Sequence, residues 1–494
     1  MPRLWLHHLP HRWWRSQGTG VIEMMRFVVS SKLVALAALA LVSTGCLVGP
    51  NYKRPDLASP QQFRFVEGAQ AESLADVPWF NVFDDPALQE LIKTAIANNL
   101  DLRAAVARVE EMRARAGIAK SYLYPQVDGA ASYRVRGSTS GEPDEDGAED
   151  NFHQNASYGF QLSWELDLFG RLRRQQEAAV ALALASEQAR RGVMVTLVGD
   201  VATSYFLLRE LDVQLVIARQ TLDINDQTVT YFQNRLDGGV SNRLEVDRIR
   251  ALRARTAATI PNLEQQIATV ENEISLLLGR SPSAIARGPA APDAPLPPQI
   301  PPGVPAALLE RRPDVAEAEQ FLVAANADIG AAKALFYPAI SLTGFLGGIS
   351  GDLTTFMGGS GALWSVGAGL LQPIYNGGRL RRNAEVAQAQ FDQALAMYQK
   401  AALNGYREVA NSLVSIQKLA EERVQHEVGV TVLVDAADLA RARYDSGLAS
   451  YIEILTADQD LFEQQLRLAQ TRGEEFRARA ELYRALGGGW QQQP

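Results

Sequence analysis

Cysteine is almost missing from this chain of 494 residues. Cys46 stands alone, so no disulfide can form within the chain. Histidine is scarce as well: there are five, and three of them (His7, His8, His11) crowd into the first eleven residues. No His/Cys spacing suited to a metal remains, and neither a phosphate-cradling P-loop nor a GxSxG strand–turn–helix can be found. The expectation is therefore no enzyme, no catalytic residue, no cofactor and no metal. An excess of basic charge is lacking too. Lys and Arg total 48 against 56 Asp and Glu, a net charge of −8, which argues against a nucleic-acid partner. What is plentiful is apolar residues, 47% of the chain, enough for a large core or for two or three domains.

The setting of Cys46 is specific. Met25-Arg26 and Lys32 form a short basic stretch, and residues 33–42 an apolar one, too short to cross a bilayer. "LVSTGC" follows. Small residues before a cysteine in that position resemble a bacterial lipoprotein signal, although Ser43 stands where such signals usually carry Leu or Val. Cleavage would leave Cys46 as the lipidated first residue. A plain signal peptide with an incidental cysteine is the alternative. Leu47 follows rather than Asp, so the resemblance to an inner-membrane retention signal is lacking and the outer membrane is the expected destination. Residues 1–24 read as a non-native upstream segment, with the signal at 25–45 and a lipidated extension at 46–84.

The chain is written twice. "GRLRR" occurs at residues 170–174 and again at 378–382, an offset of 208. At that offset "RLDGGVSNRLEV" (235–246) matches "RYDSGLASYIEI" (443–454), and Leu278-Gly279 matches Leu486-Gly487. Upstream the offset becomes 213, pairing Gly117 with Gly330, Lys120 with Lys333 and Tyr124-Pro125 with Tyr337-Pro338. Two repeats are expected, 85–280 and 305–487. A proline-rich linker at 281–304 separates them, and a tail at 488–494 follows.

Each repeat reads as helix, strand, loop, strand, long helix, turn, long helix. The first helix is expected from about 86 to 124. Strands are expected at 126–136, 156–169, 339–347 and 362–374, with apolar and polar residues alternating. Phe160, Leu162, Trp164, Leu166 and Leu168, for example, are separated by Gln161, Ser163, Glu165 and Asp167. Such strands of roughly nine to eleven residues fit a wall with lipid on one side and water on the other. A soluble antiparallel sheet with one solvated face has the same local pattern. Four strands cannot close around a channel, and an open edge in lipid is forbidden, so membrane strands would require several copies. An acidic loop follows the first strand (Asp144, Glu145, Asp146, Glu149, Asp150). It fits a cation preference at a channel mouth and a merely solvated loop equally well.

From residue 170 to 236 no proline intervenes, a stretch of roughly 100 Å as helix, too polar to be transmembrane. A seam with alternating steps of four and three runs through Leu197, Val201, Ser204, Leu208, Leu211, Leu215, Ala218, Leu222, Asn225, Val229, Phe232 and Leu236. The second repeat echoes it with Val409, Ser412, Ile416, Leu419, Val430, Leu433, Ala437 and Ala440, broken by Arg423 and His426, which read as a weak spot in packing. Gly239 and Gly447 mark the helix turns. Asn242 with Glu245, and Ser450 with Glu453, have capping-box spacing for the returning helices, about 242–279 and 450–486, the first kinked or interrupted by Pro261.

The start "GC-x-VGP-x-YKRP", the duplicated layout, "RRPDV" at 311–315 and "FYP" at 336–338 resemble outer membrane efflux factors, the TolC-like exit ducts, in their NodT-type lipoprotein branch. The resemblance covers about 46–487. It implies an α+β membrane protein, mainly long coiled-coil helical hairpins that form an α-barrel, with four strands per chain in a shared trimeric twelve-stranded β-barrel. It further implies a homotrimer in the outer membrane extending into the periplasm, docked to a periplasmic adaptor (membrane fusion) protein and an inner-membrane pump of RND type, in multidrug efflux and transport. The periplasmic end would be a closed iris. Glu245 and Tyr444 occupy places suggesting a tether between coils, and Glu453 or Asp458 a carboxylate ring; this chain has Thr456 where relatives often carry aspartate. Glu245 and Glu453 as plain helix caps is the competing reading. Two other functions stay open: a periplasmic coiled-coil structural lipoprotein without a channel, and a protein-secretion exit duct.

Overall fold

The computed structural model describes residues 46–57, 59–64, 85–137, 152–288, 305–350 and 362–488. The signal-like segment, the acidic loop and residues 289–304 of the proline-rich linker fall outside them. In chain order the elements are α1 (Pro86–Asn98), α2 (Leu100–Ser121), β1 (Gln126–Gly137), β2 (Phe152–Leu166), α3 (Arg171–Asp237), α4 (Arg243–Leu277), α5 (Pro305–Arg311), α6 (Pro313–Ala334), β3 (Ala339–Ser350), β4 (Ala362–Leu371), α7 (Arg379–Asp445) and α8 (Tyr451–Ala485). The duplication is carried to the residue. α3 and α7 each have 67 residues and α4 and α8 each 35, at the 208-residue offset. α2 and α6 each have 22 and β1 and β3 each 12, at the 213-residue offset.

Two compact units divide the chain, one of Met1–Tyr52, Ala116–Ala178 and Ala325–Ala389, the other of Lys53–Arg115, Ala179–Ala324 and Gln390–Pro494. The first contains the sheet. Its strands run in the order β1-β2-β3-β4, every neighbour antiparallel. Directly opposed residues share a face, and the register lines up the apolar positions: Gly129 faces Phe160, Phe160 faces Leu346, and Leu346 faces Trp364. The other face carries Asp128 opposite Gln161, Ser163 opposite Thr343, and Ser132 opposite Ser157 with their hydroxyls 2.9 Å apart. Apolar side chains are left bare: Trp364 is 77% and Val366 80% exposed. Among the described residues, β1 and β4 each have one unpaired edge, and they run in opposite directions. β2 and β4 end short of the expected 169 and 374. Leu168 N–H turns back to Leu166 O, and Pro373 cannot donate to a ladder.

The second unit holds the coils. Every position of the first seam is buried or half-buried, with Leu208, Val201 and Ala218 completely so. α3 has one window long and apolar enough to cross a membrane, but 56% of that window is buried in the protein, as core packing demands. In the second coil the break at Arg423 and His426 is filled with charge instead of being loose. Arg423 reaches Glu475 and Glu427 at 2.9 Å each, Arg479 reaches Glu475 at 3.1 Å, and Arg472 reaches Glu427 at 2.9 Å. His426 Nδ1 lies 2.8 Å from Gln464 Nε2. Glu475 is buried, so two guanidinium partners offset the cost of desolvating its charge.

Two helix expectations are also revised. The first helix is not continuous. It stops at Asn99, whose ψ of 132° is extended and whose Oδ1 accepts from Leu102 N at 2.9 Å, so one side chain ends α1 and caps α2. At Pro261, of the kink or interruption expected, interruption is excluded: α4 runs through it from Arg243 to Leu277.

Helix ends follow one rule. Gly239, Gly279, Gly447 and Gly487 all have φ between 66° and 76°. At each, the next residue's N–H bonds the carbonyl five residues back, as Val240 does to Arg235 and Leu448 to Arg443, both at 2.9 Å. This is a Schellman end, which needs a left-handed residue. An added Cβ at Gly239 meets nothing, whereas at Gly279 it would lie 3.0 Å from the Asn98 carbonyl carbon. Gly239→Ala should therefore cost about 1–2 kcal/mol of left-handed strain. Gly279→Ala should cost roughly 1–3 kcal/mol more, because backbone must move. Thermal unfolding of the detergent-purified variants gives the comparison; equal midpoints would contradict it.

Candidate functional site at the helix turns

The α3–α4 and α7–α8 turns come together in one cluster. Phe232 on α3, Val246, Ile249 and Leu252 on α4, Ala440 on α7, and Tyr451 and Ile454 on α8 are all buried in it, with Tyr444 packed against them. The seam explains the location: Phe232 and Ala440 are seam positions and carry the apolar stripe to the last turn of each helix. The centroid of Phe232 lies 4.1 Å from Tyr451, 5.7 Å from Tyr444 and 5.3 Å from Tyr231. Tyr444 and Tyr451 meet edge-on at 5.9 Å.

Arg235 threads this aromatic group. Its guanidinium carbon lies 5.6 Å from the Tyr231 ring centroid and 5.5 Å from that of Tyr444. Nη1 donates to Tyr231 Oη at 3.0 Å. Among the described residues, its buried Nε has no hydrogen-bond acceptor. A cation between two ring faces stabilises by about 0.5–2 kcal/mol per contact, more as water is excluded. The hydrogen bond it donates to Tyr231, then the Tyr444 phenol and lastly the Glu245 charge push the arginine's pKa up, so it stays a cation. Burial, followed by the Glu245 charge, raises the Tyr444 phenol above its usual value while Arg235 opposes, so the hydroxyl keeps its proton at neutral pH.

The residues expected from sequence divide into two groups. Arg235 lies over the Tyr444 ring, and the Glu245 charge pushes the pKa of both upward. Glu245 also sits in the cap, but the box is altered. Asn242 Oδ1 accepts from Glu245 N at 3.0 Å, while the Glu245 carboxylate takes the Ser241 hydroxyl at 2.5 Å. In the second turn Ser450 makes no side-chain cap bond, and Glu453 instead lies 3.7 Å from Arg443, both half exposed. Asp458 points away from open solvent: it is 15% exposed and takes a 2.5 Å bond from Arg441. Burial pushes its carboxyl up from the usual carboxylate range, Arg441 opposes this, and Asp438 adds to the rise. Gly239 and Gly447 make the two Schellman turns, with φ of 73° and 74°. Sequence reasoning missed Arg235, Tyr231, Tyr451 and Arg441. The adjacent pair Tyr231-Phe232 beside an arginine one turn on was a signal for the cation–ring stack; nothing local marked Arg441.

No group of His, Cys, Asp and Glu that could hold a metal is found among the described residues. The site's chemistry is packing, cation–ring contact and charge pairing, which hold the two turns together. Phe232→Ala should cost about 3–5 kcal/mol locally. Hydrogen exchange should show turns 236–243 and 444–451 opening while the sheet stays protected, and unchanged protection at the turns would contradict the cluster's role.

Residues 91–280 and 304–488 match the family described as "Outer membrane efflux protein". The chain is 34% identical over 457 residues to the cation efflux system protein CusC of Escherichia coli O6:H1, covering 92% of this chain and 98% of that one. It is 35% identical over 472 residues to the solvent efflux pump outer membrane protein SrpC of Pseudomonas putida, covering 93% and 99%. The solved outer-membrane channel OprN superposes with a TM-score of 0.81 at 32% identity, covering 90% of this chain and 100% of that one. A bare apolar sheet face, long paired helices and these likenesses agree: the chain belongs to the outer membrane efflux protein family.

Proposed function

We propose that the chain acts as a homotrimer, a passive exit duct whose three copies pool their strands into one twelve-stranded barrel. The observation that carries this is the sheet: four antiparallel strands, one apolar exposed face, and two open edges of opposite direction. Opposite edges allow β4 of one copy to pair antiparallel with β1 of the next, and the ring closes with no bare backbone in lipid. Two copies would make eight strands, which side chains fill; three leave room for a passage.

The helix turns are the gate of this duct. Arg235, Tyr444 and Glu245 tie the turns, and Glu453, half exposed at the end, is better placed than the Arg441-paired Asp458 to line a carboxylate ring. Cys46 carries the lipid anchor. A periplasmic adaptor and an inner-membrane pump of the RND type supply substrate and energy, and the duct itself catalyses nothing. CusC is named for cation efflux and SrpC for solvent efflux, yet the chain is about equally identical to both. This supports a conduit whose specificity rests with its pump.

Purified full-length protein in detergent should run as a trimer, and a monomer would sink the duct. In planar bilayers the Glu245→Gln/Tyr444→Phe pair should raise mean conductance several-fold over the parent channel. Unchanged conductance, with the trimer intact, removes these two residues from the gate.

A further inference from the structure

The two repeats use one arginine differently. Arg174 and Arg382 are the last residues of the two "GRLRR" segments, and each bonds a glutamate three residues on: Arg174 to Glu177 at 2.8 Å, Arg382 to Glu385 at 2.6 Å. There the likeness ends. Arg382 is 77% exposed and Arg174 only 1%. Arg174 is one of the largest fully buried side chains.

What buries it is the stretch just after Cys46. Arg174 Nε donates to Val48 O at 3.2 Å, and Nη2 to Asn51 Oδ1 at 2.9 Å and Gly49 O at 3.4 Å. Val48 N–H donates to Phe169 O at 3.2 Å, and buried Asn326 donates to Pro50 O at 3.0 Å. Leu47 packs on Gly170, where an added Cβ would lie 2.6 Å from Leu47 Cδ1. Two further glycines make room. Gly49, at φ 97°, lies on the Gly330 backbone, and a Cβ on Gly330 would lie 2.7 Å from Arg174 Nε. Gly117, the counterpart of Gly330 in the first repeat, has nothing near it. One of two equivalent junctions has thus become a receptor for four residues of chain bent at Gly49, with a guanidinium meeting the carbonyls of Val48 and Gly49.

We propose that Arg174 is the positioning residue for the lipid anchor. By clamping residues 48–51 to the strand-to-helix junction, it fixes Cys46, which is itself exposed, at one point beside Gly170. The acyl chains then leave the protein from a defined place and not from the end of a loose tether. This rests on the reading of Cys46 as lipidated, and the two are tested separately.

Full-length protein is expressed in Gram-negative cells with labelled palmitate and purified in detergent. Label in the parent and its loss in Cys46→Ser support the anchor; an unlabelled parent overturns the proposal at its base. Hydrogen exchange over residues 47–52 then tests the clamp. Arg174→Gln should speed exchange there at least tenfold, and Asn51→Ala, which leaves the core untouched, several-fold. Arg174→Lys should fall between, keeping the charge but losing the fork. Exchange over 379–385 should not change, and Arg382→Gln and Gly117→Ala should match the parent at 47–52. Parent-like protection in both Arg174→Gln and Asn51→Ala, or equal loss in Arg382→Gln, overturns the proposal. Should Arg174→Gln fail to fold, Asn51→Ala decides.

Discussion

A backbone N–H or C=O in hydrocarbon must find a partner, because no water is there to supply one. The strands meet that demand on their inner edges through antiparallel ladders, and among the described residues the outer edges of β1 and β4 do not. The same strands present Trp364, Val366 and Phe160 outward, side chains suited to lipid and ill suited to water. An apolar face asks for the membrane, and the membrane forbids bare edges. The proposed sharing of one barrel by several copies follows from that pair of facts.

A second constraint comes from duplication. Repeating one pattern supplies the same helix lengths and the same glycine stops, yet a working duct needs its parts to differ. The differences are local and chemical. One junction arginine is buried against the chain's beginning and its twin is exposed. One coil has a seam filled mainly by Leu and Val, while the other closes its middle with Arg423, Glu427, Arg472, Glu475 and Arg479. One turn has a side-chain cap and the other does not. At the centre of the charged cluster Glu475 and Arg479 are buried, and a buried charge parted from its partner is costly, so this part of the coil tolerates little rearrangement. A seam of aliphatic side chains, having no directional bonds, can slide more readily.

Much of the fold was legible because period and punctuation are local properties. Alternation over residues 159–168 marks a two-faced strand whatever surrounds it. Steps of four and three from Leu197 to Leu236 mark a coil. Glycines at a constant offset mark ends, because only glycine takes the left-handed conformation at little cost. Asn99 was not legible as a break: Asn occurs inside helices as well as at caps, and its role here depends on its amide reaching Leu277 O at 3.0 Å, 178 residues away. Pro261 does not break its helix, since a local cost of about 3 kcal/mol is outweighed when the flanking helix is held by packing at Leu263, Ile267 and Val270.

The candidate site was half legible for the same reason. Gly239, Gly447 and the cap at Asn242 follow from chain-local geometry, and the family resemblance pointed to Glu245 and Tyr444. The sequence by itself determined which segments are helix or strand, where they stop, that the chain is duplicated, and that one strand face is apolar; each depends on neighbours a few residues apart. The tertiary structure alone decided which charges are paired. It set Arg235 between two rings, turned Asp458 to Arg441, and closed Arg174 around residues 48–51 while leaving Arg382 in solvent. Identical pentapeptides reached opposite surroundings because burial of a side chain is a property of what packs over it, and that comes from elsewhere in the chain.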